Sequence, residues 1–165
     1  MSGIITTQEE KMAGQKNPKT KQVVIAVPKE HVPGEQRVAM VPEVVQKLVK
    51  SGYEIRIEHD AGTGAFYPDD LFIAAGAIIA SSPSELLHGA RIVLRVQPPS
   101  IAEIDQLAEG TIIIGFMNPA NNLEAIARMR DRKITAFALE FVPRISRAQS
   151  MDALDQRVRQ GADAA

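Results

Sequence analysis

The chain has no cysteine. Structural disulfides and thiolate metal sites are therefore excluded, while the redox compartment is left open. Net charge is nearly absent, at −1 from 19 basic and 20 acidic residues. Without a basic field nothing attracts nucleic acid or an anionic membrane surface. No apolar run reaches the roughly 18 residues of a membrane span, so direct membrane insertion is not expected. The N-terminus lacks an apolar stretch before a small-residue cleavage site and does not read as a secretory signal. A cytoplasmic placement follows as the expectation. Two nucleotide motifs are missing as well. There is no P-loop and no complete Gly-x-Gly-x-x-Gly. The nearest candidate, Gly62-Thr-Gly64, lacks the third glycine and an immediate helix, and it reads as a turn. His31, His59 and His88 lack ligand spacing, so no metal is expected. His59 in particular reads as a solvated histidine at a strand end.

What is present is an ordinary globular composition. The 165 residues are 45% hydrophobic and 24% charged, enough for one domain with a buried core. Residues 1–21 are polar and read as a flexible extension. Short β-branched runs then alternate with helical stretches. The runs are 23–27, 53–58, 91–96, 111–116 and 134–139. Most carry apolar residues on both faces, as in Thr111-Ile-Ile-Ile-Gly-Phe116, which is the pattern of parallel strands covered above and below.

The intervening stretches carry helix signals. Pro42 suits a first helical position, with Val44, Val45, Leu48 and Val49 as an apolar stripe and Gly52 as a stop. Ser82-Pro83-Ser84-Glu85 and Ser100-Ile-Ala-Glu103 read as capping boxes. Asn121 or Asn122 is placed to cap a helix over 123–130, with Leu123, Ile126, Ala127 and Met129 inward. This alternation predicts an α/β fold with a doubly wound, mostly parallel sheet, Rossmann- or flavodoxin-like. Ligands in such sheets sit beyond the carboxyl ends of the strands.

Three segments fall at those ends. The loop Pro28–Ala39 carries Lys29, Glu30, Glu35 and Arg37, which suit either a local ion-pair network or a ligand-facing cluster, with Arg37 drawn inward. Arg95 and Gln97 flank Val96 before Pro98-Pro99, and Asn118-Pro119 follows the next strand. Gln97 and Asn118 are neutral amides that offer hydrogen bonds but no acid or base. Farther on, Pro143–Asp152 sets Arg144, Gln149 and Asp152 on one short segment. A guanidinium, an amide and a carboxylate together suit a polar, uncharged group such as a carboxamide. A solvated loop leading into a helix is the other reading, and residue chemistry alone leaves both open.

From about Val23 to Asp152 the chain resembles the N-terminal domain shared by alanine dehydrogenase and the NAD-binding part of proton-translocating nicotinamide nucleotide transhydrogenase. The resemblance rests on Val27-Pro-Lys-Glu30, Glu35-Gln-Arg-Val-Ala39, Ala74-Ala-Gly-Ala77, Val93-Leu-Arg-Val96 and Pro143–Asp152. Within it, alanine dehydrogenases place a lysine and a histidine where Gln97 and Asn118 stand. An amino-acid dehydrogenase needs such a pair for the substrate carbonyl and its proton, whereas direct hydride transfer between two nicotinamides does not. The resemblance is therefore closer to the NAD-binding alpha subunit of the transhydrogenase.

It implies NAD(H) as cofactor, with NADP(H) on a partner domain and no metal. It implies membrane and NADP-binding partner subunits, a homodimer, and a cytoplasmic position peripheral to the inner membrane. Pro143–Asp152 looks like the family's Arg-Gln-Asp loop beside the nicotinamide. Arg144 and Asp152 would orient the NAD(H) nicotinamide, and Gln149 would reach toward the second nucleotide. Two departures stand out. Val41 replaces a usual threonine cap, and the resemblance fades after Leu154, so 153–165 is expected to be a shortened linker helix or divergent tail. The glycine-fingerprint domain that supplies most NAD contacts is expected to be lacking, which leaves the chain inactive alone. An alanine dehydrogenase-type domain and a non-catalytic remnant or binding module are the alternatives.

Overall fold

The computed structural model describes residues 22–142. Six parallel strands form one sheet in the order β3-β2-β1-β4-β5-β6. They are β1 (Val24–Val27), β2 (Glu54–Glu58), β3 (Ile78–Ala80), β4 (Ala90–Leu94), β5 (Ile112–Gly115) and β6 (Thr135–Ala138). This is the order of a Rossmann half-and-half sheet rather than the flavodoxin one. The helices are α1 (Pro42–Lys50), α2 (Asp69–Ala74), α3 (Pro83–Leu87), α4 (Ile101–Gln106) and α5 (Leu123–Asp131). Short 3₁₀ turns occupy Thr63–Ala65 and Leu139–Phe141.

Alternation along the strands creates two cores, one on each side of the sheet. Val24 and Ala26 of β1 point to one side and join Leu86, Ile104, Ala125 and Met129 from α3, α4 and α5. Ile25 and Val27 point to the other side and join Val45 of α1 and Phe72 of α2. Right-handed crossovers account for this division. The chain winds outward from β1 to β3 with α1 and α2 on one face. It then returns past β1 and winds through β4 to β6 with α3, α4 and α5 on the opposite face. All four residues of β1 are buried, as a central strand covered on both faces must be.

Several local expectations need adjusting. The strand Ile78–Ala80 is only three residues long and gives too short an apolar run to stand out from its flanks. On α1, Val45 is buried but Val44 is 40% exposed, so the buried stripe is narrower than the apolar one. On α5, Leu123 is 72% exposed and Ala125 takes the inward position instead. Ser100 and Glu103 form a complete capping box. The box at Ser82 is only half formed. Ser82 Oγ accepts from Glu85 N, but the Glu85 carboxylate turns to Ser81 N. Neither Val41 nor Asn122 caps through its side chain.

Gly62 and Gly115 are required by close approach. A Cβ on Gly62 would lie 2.4 Å from the Tyr67 carbonyl and 2.6 Å from the Phe72 ring. One on Gly115 would lie 2.5 Å from the Arg95 carbonyl, where β4 and β5 run together past the strand ends.

Candidate functional site at the carboxyl edge of the sheet

The loops after β1, β4 and β5 meet at the carboxyl edge. Pairing continues beyond the strands themselves: Arg95 N donates to the Ile114 carbonyl, and Phe116 N donates to the Val96 carbonyl. The segments bearing Gln97 and Asn118 therefore leave the sheet side by side.

The centre of this edge is a buried charge network. Glu30 sits just past β1 with its side chain 2% exposed. Its carboxylate accepts Val96 N at 2.6 Å and Gln97 N at 3.3 Å, and Arg95 Nη2 lies 3.4 Å away. Arg95, 4% exposed, places Nη1 2.7 Å from Glu103, and its Nε donates to the Gln97 carbonyl at 3.2 Å. Glu103 closes the chain by accepting Ser100 N and Oγ, both at 2.7 Å. Burial pushes the Glu103 carboxyl up, but Ser100 and Arg95 outweigh it and hold the group below the ordinary range. Every charge here meets an opposite charge or a backbone donor, which is what burial of a charge demands.

A second cluster lies beside it. Glu35 accepts Arg37 N, Nε and Nη2 at 3.0, 2.7 and 2.6 Å. It also accepts Gln97 Nε2 at 2.5 Å. Hydrogen bonds from Arg37 chiefly, opposed by burial and helped by Gln97, hold the Glu35 carboxyl at about 2. The local ion-pair reading of Glu35 and Arg37 is thus realised, and Arg37 is half-buried as expected. Lys29 and Glu30 do not join that pair. Lys29 N instead donates to Glu58 at the end of β2, 2.8 Å away.

Gln97 thus spends its amide donor on a carboxylate fixed in its ionised form. Asn118 is exposed, adopts a left-handed backbone at φ 42°, and accepts from Asn121 through Oδ1. Among the described residues, neither meets a partner with which to exchange a proton near neutral pH. Sequence reasoning missed Glu140, whose carboxylate accepts Met117 N at 3.0 Å and Asn118 N at 2.5 Å. Glu140 lies 22 residues from Asn118 in the chain, and no local pattern joins them. His59 is 65% exposed, as a solvated strand-end histidine should be. Its Nδ1 lies 2.6 Å from Asp69 and its Nε2 lies 3.4 Å from Asp60. Arg144, Gln149 and Asp152 lie outside the described residues.

Residues 26–158 match the family model described as the alanine dehydrogenase/PNT N-terminal domain. The chain belongs to this family. Among its relatives is the first of the two NAD(P) transhydrogenase alpha subunits of Rhodospirillum rubrum, 47% identical over 81% of this chain and 36% of that protein. The alanine dehydrogenase of Methanococcus maripaludis is 33% identical over 73% of this chain and 32% of its own length. Among solved structures, the transhydrogenase from Sinorhizobium meliloti superposes with a TM-score of 0.74 at 39% identity, covering 79% of this chain and 39% of that one. The chain thus spans about a third of the length of these relatives. Within the family it is more similar to the transhydrogenase subunits than to the alanine dehydrogenase.

Proposed function

We propose that this chain serves as the N-terminal unit of the NAD-binding component of a proton-translocating NAD(P) transhydrogenase. The reaction is hydride transfer between NAD(H) and NADP(H), coupled to proton movement through a separate membrane subunit. The observation that carries this reading is the chemistry of the carboxyl edge. Gln97 and Asn118 are neutral amides, and the carboxylate that Gln97 contacts stays ionised down to about pH 2. An amino-acid dehydrogenase needs a group there that gives and takes a proton. A transhydrogenase does not, because the nicotinamides themselves supply hydride donor and acceptor.

The described residues do not fit a whole dinucleotide. The β1–α1 connection carries the carboxylates of Glu30 and Glu35 where a pyrophosphate needs donors, and the space beside Gly62 is filled by Tyr67 and Phe72. The contribution of this unit is therefore positional. Its rigid edge holds one wall of a cleft, and Arg144 and Asp152 orient the NAD(H) nicotinamide while Gln149 reaches toward the second nucleotide. NADP(H) belongs to a partner domain, and no metal takes part. The unit works within a homodimer on the cytoplasmic side of the inner membrane, held there by its partner subunits. Residues 22–152 form the working domain, flanked by the 1–21 extension and the 153–165 tail.

The test is a domain exchange. This chain replaces the matching third of the Rhodospirillum rubrum alpha subunit, which is then assembled with its partners. Hydride transfer between NADH and an NADP analogue is the expected activity, lost on Gln149→Ala. Reduction of pyruvate with NADH and ammonia by the same chimera would overturn the reading. The chain alone should bind NADH more weakly than about 1 mM.

A further inference from the structure

A cavity of about 600 Å³ opens at the same edge of the sheet but on the α3/α4 side, apart from the Glu35–Gln97 cluster. That size suits a small organic molecule. Its floor is apolar, formed by Leu86, Val93, Leu107 and Ile113 of the first core. Its walls include Pro28, Pro33, Pro83, Pro98 and Pro99. Proline fixes φ, so these walls are preformed, and it has no N–H, so they present no backbone donors.

The polar atoms follow the same bias. Arg95 faces Glu30, Glu103 and the Gln97 carbonyl. The Ser100 hydroxyl donates to Glu103, and the amide donors of Gln106 and Asn122 go to backbone carbonyls. What remains, among the described residues, is acceptors. One oxygen of Glu58 and the amide oxygens of Gln106 and Asn122 have no partner. Two carboxylates, Glu58 and Glu103, against one guanidinium, Arg95, leave the lining with one surplus negative charge.

We propose that this cavity binds a small organic cation, a primary ammonium on an apolar body, with the body on the leucine and proline walls and the ammonium at Glu58. An anion would meet Glu58 and Glu103, and a neutral alcohol would leave the Glu58 carboxylate without a counter-charge. This site owes nothing to the nicotinamide chemistry of the neighbouring cluster.

The test is an amide-resolved NMR titration of the ¹⁵N-labelled full chain with 4-phenylbutylamine, 4-phenylbutanol and 4-phenylbutyrate. The amine should shift His31, Val32, Leu86, Leu87 and Glu103 in a saturable way, and the alcohol and the acid should not. Glu58→Gln keeps an acceptor for Lys29 N and should weaken amine binding roughly tenfold or more. Leu87→Trp should fill the half-buried wall and abolish the shifts while the rest of the spectrum stays dispersed. Equal binding of amine and alcohol, binding of the acid, or no saturable shift up to about 10 mM amine would each overturn the proposal.

Discussion

Two charge clusters sit at the carboxyl ends of neighbouring strands, and their shortest contacts are nearly the same. Arg95 reaches Glu103 at 2.7 Å, and His59 reaches Asp69 at 2.6 Å. They differ in water. The Glu30 and Arg95 side chains are 2% and 4% exposed, while His59 and Asp60 are 65% and 50% exposed. In the first cluster each charge has been stripped of solvent, so losing any partner leaves a buried ion unmet. In the second, water stands ready to replace whatever is removed. Short distances therefore do not rank the two, and desolvation does. The first cluster also orders the polypeptide, since Glu30 holds the backbone at Val96 and Gln97 and so ties the β1 loop to the β4 loop.

The largest expected effect comes from breaking the buried cluster. Arg95→Ala leaves Glu30 and Glu103 without their cation and should destabilise the chain by about 3–5 kcal/mol, read from the urea midpoint at constant slope. That is a large share of the roughly 5–15 kcal/mol of a typical domain. Arg95→Met combined with Glu103→Leu removes both the charge and one of its acids, and should recover part of the loss. A loss under about 1 kcal/mol for Arg95→Ala would erase the contrast between the clusters.

Most of the scaffold is legible in the sequence, because β-branched runs and capping residues act locally. Five of the six strands coincide with apolar runs, displaced by a residue or two at their ends. The sixth, Ile78–Ala80, is invisible there because three residues carry no periodicity. The site is legible in part. Gln97 and Asn118 stand out as amides at strand ends, and the Glu35–Arg37 pair lies two residues apart. The long-range clasp is not legible. Glu30 joins Val96 across 66 residues, and Glu140 joins Met117 across 23. A single sequence holds no local signal for such partners, and only the strand order brings them together.

Glu35 lies between the two extremes, being ionic but partly covered. Its folded carboxyl is held at about 2 against 4.5 ordinarily, chiefly by Arg37. A depressed value of this kind stabilises the fold above pH 4.5, and the benefit is lost as pH falls from there through about 2. Glu35→Gln should therefore cost roughly 2–3 kcal/mol at neutral pH and flatten the acid limb of the stability curve below about pH 4.5. An unchanged acid limb would show that Arg37 does not set the Glu35 carboxyl. Ser100→Ala comes next. It removes the Oγ that accepts Glu103 N and donates to the Glu103 carboxylate, and it should cost about 1 kcal/mol, the usual value of a helix cap.

The smallest effect belongs to the exposed cluster. His59 Nδ1 touches Asp69, yet Asp69 also accepts Asp60 N at 3.1 Å, so the carboxylate keeps a backbone partner when the imidazole goes. Water covers the rest of it. His59→Ala should shift the urea-derived stability by no more than about 0.5 kcal/mol. Asp69→Asn, which weakens the acceptor for Asp60 N as well, should cost slightly more. Asp60 holds a left-handed backbone at φ 61° and relies on that bond to fix its turn. If His59→Ala instead cost as much as Arg95→Ala, burial would not be what separates the two clusters. The short contact itself would then carry the energy.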